Sequence, residues 1–160
     1  MPLGDNPFGV LTTVVAPAVL TNACSVLCLG TSNRIARVVD QSRIVADELK
    51  AHAPGSPDAV LYKQRFGVLR QRAKHLLWAL RLFYASLGAF AGAVLIAVAG
   101  GALAATNYAE AFEVAAAIGF LTGAIGVGGL TVGCALMVAE VRLALKQTAD
   151  DTEAVLNRSS

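Results

Sequence analysis

The sequence predicts an all-α membrane protein with three transmembrane helices. Of its 160 residues, 56% are hydrophobic and 15% are charged, and its mean hydropathy is +0.60, above the range of ordinary soluble domains. Three windows, at about 8–29, 82–105 and 112–139, supply the roughly 20 apolar residues that a spanning helix needs. Apart from Glu113 at the edge of the third window, they contain no charged residue, as expected where a buried charge costs several kcal/mol.

The positions of the basic residues predict how the chain is oriented. Ten of the thirteen Lys and Arg residues lie between Arg34 and Arg81, and the other three follow the third window. Because cytoplasmic loops are enriched in Lys and Arg, we expect the N-terminus outside, the segment of about 33–80 in the cytoplasm and the C-terminus in the cytoplasm. The first window is expected to be retained because it lacks signal-peptide features.

Helices 1 and 2 are expected to continue beyond the membrane as a cytoplasmic antiparallel helical hairpin. The segment AHAPGSPD, from Ala51 to Asp58, contains two prolines and a glycine that end helix 1, and Asp58 is a plausible N-cap for helix 2. The polar tail, about 147–160, is expected to fray from Asp150. We expect one membrane domain in all, without a second domain or repeat.

One face of helix 1 changes character where the helix leaves the bilayer. Small and polar residues recur at steps of three and four and are followed by aliphatic ones: Thr13, Pro17, Thr21, Cys24, Ser25, Cys28 and Ser32, then Ile35, Val38, Ser42, Val45 and Leu49. In lipid, helices associate through small residues and shared hydrogen bonds, whereas in water they bury apolar side chains. The face is therefore expected to pack against neighbouring helices along its whole length.

The polar part of this face has two interpretations. Asn22, with Thr21 and Ser25, follows Pro17, which leaves the carbonyl of Thr13 without its helical donor. The favoured interpretation is a kinked helix whose polar side chains bond to neighbouring helices. The alternative is a solute or ion pathway of the kind formed by interrupted transporter helices.

A glycine stripe, resembling a glycine zipper, runs along helix 3. Its members are Gly119, Gly123, Gly126, Gly129 and Gly133, and helix 2 offers Ala85, Gly88, Gly92 and Ala99 as a possible counterpart. Each glycine costs a helix about 1 kcal/mol, so the stripe predicts close approach of another helix. That helix belongs either to the same chain or to a second copy.

Charged and sulfur-containing residues give weaker signals. Arg81 begins the second window and Glu140 follows the third, so an interfacial ion pair between them is expected, acting as an anchor or, alternatively, a gate. The three cysteines, Cys24, Cys28 and Cys134, would permit a thiol or metal sensor, but they lack a fourth ligand. No nucleophile and base pair, phosphate loop or metal motif is present, so we expect no catalytic residue, cofactor or metal.

Two segments carry a family resemblance. PAVLTNACSVLCLGTSNRIARVVDQSR resembles the opening of a bacterial three-span membrane family catalogued only as a domain of unknown function. The matching positions are Pro17 and Leu20, then Asn33, Arg34, Arg37 and Asp40, and LRQRAKHLLWALRLFYAS resembles the family's entry into the second span. The resemblance implies three spans and a cytoplasmic hairpin, and it supplies no activity. Because the family is bacterial, the expected location is the bacterial inner membrane.

These observations predict a non-enzymatic integral membrane protein that self-associates or serves as a scaffold or accessory subunit. The alternatives are a small homo-oligomeric channel or transporter and a thiol or metal sensor. The basic segment carries ten Lys or Arg against four Asp or Glu, a net +6 that would attract anionic lipid headgroups. The expected partners are therefore lipids and further copies or subunits, and not nucleic acid, since no binding module is present.

Overall fold

The fold is all-α, as predicted. A computed structural model describes the backbone of residues 7–104 and 109–159, and the side chains of residues 15–102 other than Pro17 and of residues 112–149. The described residues form three helices and no strand: α1 (Pro7–Ala51), α2 (Pro57–Ala104) and α3 (Ala109–Ser159). Each helix is therefore much longer than the apolar window predicted within it.

The C-terminal tail is helical, which corrects the expectation that it frays from Asp150. Helix α3 continues to Ser159. After Gly133 the sequence contains neither Gly nor Pro and is rich in Ala, Leu, Glu and Lys, which are good helix formers. No residue in this stretch ends the helix, so polarity alone was a poor guide to its conformation.

The turn between α1 and α2 is closed by Ser56 and not by Asp58 as expected. The hydroxyl Oγ of Ser56 accepts a hydrogen bond from the amide of Ala59 at 3.1 Å, which is the usual N-cap interaction. Pro57 then takes the first helical position, where its missing N–H is not needed. Gly55 has a φ of +91°, a conformation that glycine adopts at little cost.

Contacts within the chain divide it into two compact units. The first comprises Met1–Leu29 and Arg81–Val132, and the second comprises Gly30–Leu80 and Gly133–Ser160. Two of these boundaries fall close to the end of the first predicted window and the start of the second. The second unit holds 20 of the 24 charged residues.

Within the part of the chain that the structure describes, two helical segments are long and apolar enough to cross a membrane. They are Pro57–Ala102, with a mean hydropathy of 2.1 in its most apolar window, and Phe112–Ala149, with 1.8. Only 17% and 11% of those windows are buried within the chain, whereas the core helix of a soluble protein is mostly buried. Residues 8–14 and Pro17, which belong to the first predicted window, lie outside the described side chains.

The second unit has an apolar core shared by all three helices. Val38 of α1 and Leu69 and Leu76 of α2 are buried, and partly buried residues pack around them: Ile35, Val45, Ala73 and Met137. Ile35, Val38 and Val45 belong to the aliphatic face predicted for helix 1. That face therefore packs as its spacing indicated.

The first unit contains a buried seam of α2 that includes two large aromatic side chains. Phe83, Ser86, Phe90 and Ala93 are buried at steps of three and four, the spacing of a helix that packs along one seam. Cys24 and Cys28 of α1 are buried as well. The buried seam of α2 thus passes through Phe83 and Phe90 and not through the predicted small-residue face, where Ala85, Gly88 and Ala99 are exposed.

Candidate functional site

A buried carboxylate joins the three helices within the second unit. The side chain of Glu140, on α3, is only 3% exposed. Its Oε1 accepts from Arg72 of α2, with distances of 2.9 Å to Nη2 and 3.0 Å to Nε. Its Oε2 lies 3.4 Å from Nη1 of Arg34 on α1. One acidic side chain therefore holds arginines from both other helices.

The position of Arg72 explains why this ion pair is desolvated. Arg72 lies between Leu69 and Leu76 along α2, next to the apolar core, and its side chain is 17% exposed. Its Nη1 also donates to Oε1 of Gln147 at 3.4 Å. Because a buried charge is costly without a partner, each of these two charges offsets the desolvation cost of the other.

The sequence predicts an ion pair between Glu140 and Arg81, and that pairing stays a prediction. The partners that the structure gives Glu140 are Arg34 and Arg72, which the sequence pattern did not predict. The pairing was inferred from where the apolar windows end, but the register of packed helices decides which side chains meet. The available signal was that Arg72 shares its stripe with Leu69 and Leu76.

An open groove in the second unit, which we call the arginine groove, contains this ion pair. Its volume is about 460 Å³. The lining residues are Arg34, Arg37, Val38, Gln41, Arg72, Glu140, Val141, Ala144, Leu145 and Thr148. Three guanidinium groups thus face one carboxylate, which leaves the groove with surplus positive charge.

Two polar side chains of the arginine groove have unused hydrogen-bonding groups. Within the described part of the chain, neither Arg37 nor Gln41 forms a hydrogen bond or ion pair. Both are exposed. A guanidinium carries five N–H donors and a Gln amide two, so this side of the groove can bind an anion.

Glycines of α3 contact α2 at two very close points in the first unit. A Cβ added at Gly126 would lie 2.7 Å from the Phe90 ring, and one at Gly129 would lie 2.6 Å from the hydroxyl of Ser86. At Gly119 the nearest atom, on Ile96, would be 3.4 Å away. These glycines serve packing within one chain.

Other predicted packing glycines have more room around them among the described residues. A Cβ at Gly88 or Gly123 would meet no atom within 4 Å, and one at Gly92 would meet only Thr122 at 3.9 Å. Gly133 is buried. The predicted counterpart face on α2, which carries Gly88 and Gly92, is therefore not the face that packs against the α3 glycines.

The polar stripe of α1 is only partly described. Thr13 and Pro17 lie outside the described side chains. Ser25 donates its hydroxyl to the carbonyl of Thr21 at 3.0 Å, so its hydrogen bond is satisfied within α1. Asn22 is exposed and forms no hydrogen bond within the described part of the chain.

Comparison with known proteins assigns the family. Residues 14–149 match the family described as a protein of unknown function (DUF2721). The chain belongs to this family. The match confirms the resemblance to a family catalogued only as a domain of unknown function. No curated protein and no solved structure was found to match the chain.

The family-like motif contributes to the arginine groove. Two of its four residues, Arg34 and Arg37, line the groove. Asp40 instead lies 3.9 Å from Arg43 in an exposed pair one turn further along α1, and Asn33 is exposed. The motif thus places two arginines on one face, since residues three apart are neighbours on a helix.

The cysteines are not brought together into a recognisable centre. Cys24 and Cys28 are buried and Cys134 is exposed. Among the described residues, no group of three or more His, Cys, Asp or Glu could hold a metal ion. The thiol or metal sensor stays a prediction, and the positions of the three cysteines give it no further support.

Proposed function

We propose that this DUF2721 protein is a non-enzymatic, multi-pass protein of the bacterial inner membrane that self-associates as a scaffold or accessory subunit. The three spans are the windows at about 8–29, 82–105 and 112–139. The segment of about 33–80 forms a cytoplasmic antiparallel helical hairpin. The N-terminus lies outside and the C-terminus lies in the cytoplasm.

Composition and burial support the membrane part of the proposal. The apolar windows of α2 and α3 leave more than four-fifths of their residues unburied within the chain, and lipid is the environment in which such a surface is stable. Twelve of the thirteen basic residues belong to the second unit. That segregation fits a chain whose basic part stays in the cytoplasm.

The observation that carries self-association is the small-residue face of α2, which the described residues leave largely exposed. Ala85, Gly88 and Ala99 are exposed, and Gly92 is only partly buried. In lipid, helices associate where small residues let their backbones approach closely. Since α3 packs against Phe90 and Ser86 on another side of α2, this face is available to a second copy.

Asn22 of α1 gives independent support. Its amide is exposed within the first predicted span and is without a hydrogen bond among the described residues. A polar side chain facing lipid is unfavourable, and a bond to a neighbouring helix recovers about 1 kcal/mol. A second copy would supply such a helix.

Replacing Gly88 by Leu should dissociate the assembly. No described atom lies within 4 Å of a Cβ at this position, so we expect the larger side chain to be accommodated within a single chain but to prevent the close approach of a second one. We expect native mass spectrometry in lipid nanodiscs to show oligomers for the wild-type chain and monomers for Gly88→Leu.

Val98→Leu is the matched control, because Val98 is a large exposed residue on the same helix. It should leave the oligomer unchanged, and circular dichroism should show equal helix content in all three chains. A wild-type chain that is strictly monomeric without a bound partner would contradict self-association, as would oligomers of Gly88→Leu as stable as those of the wild type.

A further inference from the structure

We infer that the arginine groove binds the phosphate of an anionic phospholipid headgroup. The inference deepens the proposed function and rests on its membrane topology. It concerns a single site on one chain and does not require self-association.

The donors that would bind the phosphate come from one face of α1. Arg34, Arg37 and Gln41 follow one another at steps of three and four, so they are neighbours on the helix surface. Arg37 and Gln41 have no partner within the described part of the chain. Arg34 makes a single long contact of 3.4 Å with Glu140, and its side chain is 48% exposed. Most of its donors therefore stay available, and arginine suits phosphate because its planar fork matches two oxygens.

Glu140 acts in this site as a positioning residue. Its buried carboxylate is committed to Arg72 at 2.9 Å, and its second oxygen orients Arg34. One carboxylate cannot neutralise the three guanidinium groups that line the groove. The remaining positive charge lies on the α1 side, where Arg37 is exposed.

The rest of the lining suits a lipid better than a free phosphate ion. Val38, Val141, Ala144 and Leu145 supply apolar surface beside the arginines. A volume of about 460 Å³ falls in the range of roughly 300–1,000 Å³ that is usual for small-ligand sites. A headgroup together with the first carbons of its acyl chains offers both kinds of surface at once.

The place of these residues in the sequence also favours a lipid. Arg34 follows the predicted end of the first span by five residues, and Glu140 follows that of the third by one. Both therefore belong near the inner headgroup layer, where anionic lipids attract basic residues at about 1 kcal/mol each. The site would meet phospholipid phosphate at far higher local concentration than any soluble phosphate.

Native mass spectrometry of the detergent-solubilised full chain tests this inference. The wild-type chain is titrated with phosphatidylglycerol, with phosphatidylcholine and with inorganic phosphate. We expect one phosphatidylglycerol to bind with clear preference over phosphatidylcholine, and inorganic phosphate at equal concentration not to displace it. Arg37→Gln should weaken phosphatidylglycerol binding about fivefold, which corresponds to the loss of about 1 kcal/mol for one basic residue. Arg37→Lys should recover part of it.

Arg43→Gln is the control, since it removes the same charge from the same helix outside the groove, where Arg43 lies 3.9 Å from Asp40. It should bind phosphatidylglycerol as the wild type does. An equal loss of phosphatidylglycerol affinity in the two Gln variants would show diffuse electrostatic attraction and not a specific site. Unchanged binding by Arg37→Gln would also contradict the site. Displacement by inorganic phosphate would overturn the lipid as occupant. The same spectra report oligomeric state, so failure of this site and failure of self-association are read separately.

Discussion

Replacing Glu140 by Ala should lower the free energy of unfolding by about 3 kcal/mol. The carboxylate is 3% exposed and is the ion-pair partner of Arg72, which is 17% exposed. Removing it leaves the Arg72 charge poorly solvated and without an acidic partner in the core of the second unit. Arg34 adds less to the loss, because its side chain is half exposed and water can solvate it. Denaturant unfolding in detergent micelles, followed by circular dichroism, measures the change.

Two further variants make this prediction specific. Asp40→Ala removes a carboxylate from an exposed pair of 3.9 Å and should change the free energy of unfolding by less than about 1 kcal/mol. Replacing Glu140 and Arg72 together by Leu should cost less than Glu140→Ala alone, because no unpaired buried charge remains. A loss at Glu140 no larger than the loss at Asp40 would show that Glu140 is solvated.

Gly126→Ala should lower the free energy of unfolding by about 1–2 kcal/mol. The added Cβ would lie 2.7 Å from Cε1 and 3.0 Å from Cδ1 of Phe90. Phe90 is only 2% exposed, so its ring has little room to move away. Overpacking of this kind costs about 1–3 kcal/mol, and the better helix propensity of Ala returns up to about 1 kcal/mol. The same unfolding assay, on dilute protein, detects the difference.

Gly128→Ala is the matched control on the same helix. A Cβ there would meet nothing within 4 Å, so this variant keeps the gain in helix propensity without the clash and should be slightly more stable than the wild type. Combining Gly126→Ala with Phe90→Leu should recover part of the loss by removing the ring. Equal stability of the two Gly variants would mean that Phe90 does not pack on Gly126.

The sequence was a good guide wherever periodicity or turn chemistry decides the structure. The steps of three and four on α1 identified Val38 and Cys28 as inward-facing, and both are buried. Helix α1 ends at Ala51, the first residue of AHAPGSPD and three residues before Pro54. These features are local, because they depend on residues within one or two turns of each other.

Side-chain contacts between different helices could not be predicted from these local sequence patterns. The sequence predicts that small residues of α2 face the small residues of α3. In the structure, the Phe90 ring packs against Gly126. A large residue packed on a glycine gives no periodic pattern in the sequence. The partners of Glu140 follow from the same packing. Thr31 is a further example, since it is fully buried and donates to the sulfur of Met137 at 3.6 Å.

The central claim is that the basic segment of about 33–80 lies in the cytoplasm beside three membrane spans. An impermeant amine reagent applied to intact spheroplasts that express the chain tests it, with peptide mass spectrometry of Lys50 and Lys63. A Thr106→Lys variant serves as the positive control in the predicted outer loop, since one added lysine is too few to reverse the orientation. We expect the reagent to modify residue 106 in intact spheroplasts and to modify Lys50 and Lys63 only after lysis. Modification of Lys50 or Lys63 before lysis, or recovery of the chain in solution without detergent, would contradict it.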